Sequence, residues 1–96
     1  MKPSKVLEQY RDVIRRIIAK GPLRNPRVFG SVVRGEDHDG SDLDLLVDAA
    51  PGTTLFDIGG LQVDLEEALG VPVDLLTPED LPARIRDRVL REAKPV

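Results

Sequence analysis

The sequence predicts an α/β (α+β) fold in which a small mixed β-sheet is backed by helices in the order α-β-β-α-β-α. Three observations carry the prediction. Apolar residues recur at helical spacing over 5–20 and again over 55–69. Two short stretches, 42–48 and 71–76, read instead as strands with a buried face. Gly-Pro, Pro-Gly and Gly-Gly pairs punctuate the chain at intervals too short for long helices throughout.

Taken in order, Ser4 is the expected N-cap of a helix over 5–20, with Val6, Leu7, Tyr10, Ile14, Ile17 and Ile18 on one face. Gly21-Pro22 stops it, and Gly21–Pro26 reads as a linker. Arg27–Gly30 is a short strand ending in the Gly30-Ser31 turn, and Val32–Arg34 a single helical turn. Glu36–Ser41 is a polar loop, and residues 42–48 form the second strand. Ala50-Pro51-Gly52 turns the chain into a helix over 55–69, which ends at Gly70 and is weakened by Gly59-Gly60, by about 1 kcal/mol per glycine. The strand over 71–76 carries Pro72 near its start, which suits a sheet edge. Thr77-Pro78-Glu79-Asp80 starts a helical turn, and Pro82 opens a last, arginine-rich helix with Leu81, Ile85, Val89 and Ala93 facing inward.

Composition bounds the function. Ninety-six residues predict a single domain, 1–96, with one core and no separate lobe for a second substrate. The hydrophobic share of 41% and charged share of 32% suit a soluble globular chain. The net charge of −3 argues against direct nucleic-acid binding through a broad basic surface, and three aromatic residues make no base-stacking platform. No apolar run reaches membrane-spanning length. The absence of cysteine fits a reducing, cytoplasmic setting.

The chemistry is concentrated in Gly30-Ser31, Arg34-Gly35 and Ser41-Asp42-Leu43-Asp44. In a strand, Asp42 and Asp44 emerge on one face while Leu43, Leu45 and Val47 emerge on the other. Exposed strand edges often carry aspartate. Two of them at the mouth of a buried strand, however, go against β-propensity and repel each other. The usual remedy is a hard divalent cation bound by carboxylate oxygens. A nearby Gly-Ser turn offers amide and hydroxyl donors to an anion such as a triphosphate. Asp74 interrupts the apolar strand 71–76 and must face either solvent or the same site. Ser41 bonds local backbone at the strand's mouth. His38, between Asp37 and Asp39, lacks further nitrogen ligands and reads as a solvated loop residue, not a zinc site.

This pattern resembles the nucleotidyltransferase superfamily that includes DNA polymerase β, and most closely the minimal nucleotidyltransferases, the MNT half of HEPN/MNT toxin–antitoxin pairs. The resemblance covers nearly the whole chain and implies the nucleotidyltransferase fold. It assigns catalysis and metal ligation to Asp42, Asp44 and Asp74, and nucleotide binding to Gly30, Ser31, Arg34 and Ser41. It further implies Mg²⁺, with Mn²⁺ as an alternative, ATP or another NTP as donor, and a HEPN-domain RNase toxin as acceptor, with AMP attached to a tyrosine. Two other readings share these residues: an antitoxin that works by binding alone, and a freestanding enzyme acting on a small molecule.

Overall fold

The computed structural model describes all residues from 1 to 96. Its elements are α1 (Pro3–Ala19), β1 (Leu23–Phe29), α2 (Ser31–Arg34), β2 (Leu43–Ala49), α3 (Leu55–Leu69), β3 (Val73–Leu76), a 3₁₀ turn (Pro78–Asp80), α4 (Ala83–Glu92) and β4 (Lys94–Pro95). The four strands form one sheet in the order β3-β2-β1-β4. β1 runs antiparallel to both β2 and β4, while β2 and β3 run parallel with α3 as their crossover. The sheet is therefore mixed and helix-backed, as expected. No helix is long and apolar enough to cross a membrane.

The alternation in β2 assigns the layers. Leu43, Leu45 and Val47 point to one face, where they join Ile14 and Ile18 of α1, Leu61 and Leu65 of α3, and Val73 and Leu75 of β3. Leu46 points to the other face and packs with Phe29, Leu81 and Val89, so α4 covers that side. Asp44 shares the α4 face with Leu46, because both lie at even positions of the strand. α4 and the 3₁₀ turn thus roof one end of this face, next to the aspartates.

Several expectations are corrected. Ser4 is not the N-cap of the first helix: Lys2 occupies that place and Pro3 the first helical position, where a missing N–H costs nothing. The proposed linker is in large part strand, since Leu23 pairs with Ala49 and Arg24 with Asp48. A register slip between Arg24 and Arg27 hid it. Asn25 sits in the left-handed region at φ 56° and Pro26 has no N–H to give the ladder. β4 was not foreseen, because two residues carry no periodicity. α3 holds its expected bounds, 55–69, and gains a capping box in which the Asp57 N–H donates to Thr54 Oγ1 and the Thr54 N–H to Asp57 Oδ2.

β3 is an edge strand whose outward amides are not left bare. The Val73 N–H donates to Glu66 Oε2 (3.0 Å) and the Leu75 N–H to Gln62 Oε1 (3.2 Å), both from α3. Side chains one helical turn apart match the two-residue repeat of amides along this edge, and they deny it to another strand.

Candidate active site

Asp44 is the geometric centre of the site. In the antiparallel register it lies opposite Phe29, the last residue before the Gly30-Ser31 turn. In the parallel register it lies opposite Asp74. A line across three strands, each about 4.8 Å from the next, therefore carries the turn, Asp44 and Asp74. The first and third of these are far apart in sequence and meet only through β2.

Gly30 is required here for two reasons. Its φ of 75° with ψ of −146° is a backbone state that side chains disfavour. A Cβ built on it would also collide with Asp44 Oδ2. The turn packs directly against the carboxylate, which places Ser31, at the first position of α2, beside the acidic pair. α2 is closed by Gly35 in the left-handed region and by the Glu36 N–H donating to Ser31 O (2.8 Å).

Electrostatics separate Asp44 from other aspartates of the strand. Burial pushes its carboxyl up to about 6; the charge of Asp74, a hydrogen bond with Asp74 and the charge of Asp42 add to the rise, while Arg34 opposes it. Asp48, on the same face of β2, behaves oppositely. A hydrogen bond from the Asn25 amide (3.0 Å) and the Arg27 guanidinium (2.6 Å) hold it below the usual carboxylate range. Asp48 is a structural acid with counter-charges in place. Asp44 faces two carboxylates and lacks a cation in contact.

Asp74 is exposed beside Asp44, and Asp42 lies exposed one residue ahead of β2. The chain places Asp44 and Asp74 together, whereas no three acidic or histidine side chains converge closely enough to define a metal cage on their own. The donor set still fits a hard cation. Two adjacent carboxylates with Asp42 alongside offer only oxygens, and the raised Asp44 carboxyl marks the negative charge that a cation would relieve.

Arg34 is half-exposed, with its Nε 3.5 Å from Glu36 Oε2 and Nη1 3.7 Å from Glu92 Oε2 of α4. Glu92 is a neighbour of the site that sequence reasoning missed, since it sits at the end of the arginine-rich last helix and belongs to no motif. Ser41 bonds local backbone as expected: its Oγ accepts from the His38 N–H (3.0 Å) and its own N–H donates to His38 O (3.0 Å). This closes the loop that delivers Asp42. Asp37, read as solvated, anchors the same loop to α1, because its Oδ2 accepts the Ser4 N–H at 2.8 Å. An acid near a helix start is stabilised by the free amides there, but no local signal pairs residues this far apart.

The nucleotidyltransferase domain model matches residues 9–96, so the chain belongs to the nucleotidyltransferase domain family. Metal-dependent nucleotidyl transfer is typical of that family. Within it, the chain groups with the minimal nucleotidyltransferases. It is 43% identical over 70 residues to protein adenylyltransferase MntA of Thermococcus cleftensis, a match covering 73% of this chain and 71% of that one. A solved structure assigned as a minimal nucleotidyltransferase superposes with a TM-score of 0.84 at 43% identity, over 97% of this chain and 95% of the other. A toxin–antitoxin crystal structure with AMP-PNP superposes with a TM-score of 0.66 at 26% identity, over 99% of this chain and 72% of the other.

Proposed function

We propose that this chain transfers AMP from ATP to a tyrosine hydroxyl of a HEPN-domain RNase toxin and thereby acts as its antitoxin. The observation that carries the reading is the register: Asp44 stands opposite Asp74 and against the Gly30 turn, which sets an acidic pair beside a candidate phosphate site. The protein-adenylyltransferase relative and the toxin–antitoxin structure with AMP-PNP support a protein acceptor and an adenine nucleotide donor.

In this reading Gly30 and Ser31 bind the β- and γ-phosphates through backbone amides and the hydroxyl. Arg34 neutralises the same phosphates. Asp42, Asp44 and Asp74 hold divalent cations, Mg²⁺ with Mn²⁺ as an alternative. When bound, these ions lower the pKa of the acceptor hydroxyl and offset the charge on departing pyrophosphate. Ser41 keeps Asp42 in place through the His38 turn. Asp74, the most exposed of the facing pair, accepts the proton of the tyrosine hydroxyl. The phenolic oxygen forms a bond to the α-phosphorus, the bond from that phosphorus to the β-bridging oxygen breaks, and pyrophosphate leaves with the electron pair. Positioning and charge neutralisation supply most of the catalysis, since no atom of this chain bonds covalently to the nucleotide.

Incubation of the chain with ATP, Mg²⁺ and a HEPN-domain RNase toxin, followed by mass measurement of the toxin, tests the proposal. The expected result is a gain of whole AMP units that disappears with Asp42→Ala. An unmodified toxin that is nevertheless inhibited one-to-one would assign the chain to binding-only antitoxins.

A further inference from the structure

We propose that this chain forms a two-fold dimer through the layer of α1 and α3, on the sheet face opposite the aspartates. α3 presents an apolar ridge to solvent: Leu55 is 84% exposed, Phe56 92% and Val63 50%. Single exposed apolar residues are ordinary, but these three share one helical face with Gly59 and Gly60, around which an added Cβ would meet nothing. A bare backbone between apolar side chains allows another helix to approach closely.

The counterpart of the ridge lies on the neighbouring helix. Val13 and Ile17 of α1 floor a groove of about 370 Å³ whose rim is Arg16 and Lys20. The ridge has the opposite rim, with Asp57 and Asp64 on its flank toward α1, around Gly60 and Phe56. The ion pairs within the chain use none of these four charges. One patch therefore holds an apolar ridge with one acidic flank and an apolar groove rimmed by two basic residues.

A two-fold axis is what satisfies such a patch. It lays the ridge of each copy in the groove of the other and brings Arg16 and Lys20 against the partner's acids, twice over. The fit in shape and charge favours a second copy over an unrelated protein. Asp44 lies on the far side of the sheet, beside the part that α4 covers, so both sites of the dimer stay open to an acceptor.

Sedimentation velocity on the full chain across a concentration series tests this. The native chain is expected to dimerise, and Phe56→Asp to raise the dissociation constant roughly tenfold or more. At concentrations low enough for the native chain to be monomeric, the denaturant midpoint and ATP binding should not change, since Phe56 is 92% exposed and lies away from the site. Lys20→Glu should weaken the dimer, and Lys20→Glu combined with Asp64→Lys should restore it by exchanging the signs. A native chain that stays monomeric, or a Phe56→Asp variant that dimerises normally, overturns the proposal. So does a monomer whose Phe56→Asp variant loses binding to the acceptor protein, which would give this face to that protein.

Discussion

Asp44 and Asp74 stand directly opposite each other across the parallel β2–β3 pair, and after burial it is the Asp74 carboxylate that does most to push the Asp44 carboxyl up to about 6. Parallel pairing does not require this, and like charges facing each other weaken a sheet. The chain retains an arrangement that costs stability in the absence of a cation. Asp48, four residues along the same strand, has its counter-charge built in through Arg27.

Substitution of Asp44 by asparagine should remove activity and leave the fold intact. Removing one of two facing charges relieves repulsion, so the melting temperature should stay constant or rise, by about 1 kcal/mol in equivalent stability. Thermal melts and AMP transfer by the same variant check this. A loss of several kcal/mol would mark Asp44 as a structural residue.

Stability of the metal-free chain should fall as pH rises from about 4 to 6. The Asp44 carboxyl titrates near 6 in the folded chain against 3.8 as its ordinary value. Between those values the folded state binds the extra proton, so the contribution is complete below the lower one and is lost through the upper one. After allowance for partial exposure the loss is about 1–2 kcal/mol. Asp37 and Asp48 are shifted downward and contribute with the opposite sign, at pH below this window. Urea unfolding at several pH values in EDTA checks the slope, which saturating Mg²⁺ should flatten.

ATP should bind tightly only with a divalent cation. Without one, Asp42, Asp44 and Asp74 repel the triphosphate. Calorimetry in Mg²⁺ and in EDTA decides, and equal affinities would refute a metal-bridged nucleotide.

Gly30→Ala should disrupt both fold and site. The added methyl meets the Asp44 carboxylate and its φ of 75° is unfavourable for alanine, for a cost of about 1–3 kcal/mol. ATP affinity should fall with it. Ser31→Ala should lower ATP affinity while leaving the melt unchanged, which separates the turn's shape from its chemistry.

Glu66→Ala should expose the Val73 amide at the sheet edge. We expect a loss of about 1–2 kcal/mol and, for the double variant with Gln62→Ala, concentration-dependent association through β3. Light scattering and denaturant melts measure the two effects.

Residue pattern alone was sufficient for the helices and for the acidic strand. The spacing of Leu61, Leu65 and Leu69 predicts the buried stripe of α3, and Gly70 its end, because helix periodicity and left-handed caps are local properties. Leu55 belongs to the same apolar run but is exposed: at 3.6 residues per turn it falls on the face of Gly59 and Val63, beside the buried stripe and not within it. Leu23–Pro26 was read as linker because a left-handed asparagine and a proline interrupt the alternation, although the backbone on both sides still pairs with β2.

Residue pattern alone singles out the candidate site: the Gly30-Ser31 turn, the Asp42–Asp44 pair and a lone aspartate at 74. Local rules broken within a few residues of each other are visible without a structure. The folded chain alone reveals that Asp74 faces Asp44, that Gly30 abuts Asp44, and that Asp37, Gln62, Glu66 and Glu92 have partners at all. Those relations depend on strand register and helix placement. Register is set by burial of Leu43, Leu45 and Val47 under α1 and α3, which is a property of the whole core rather than of any segment.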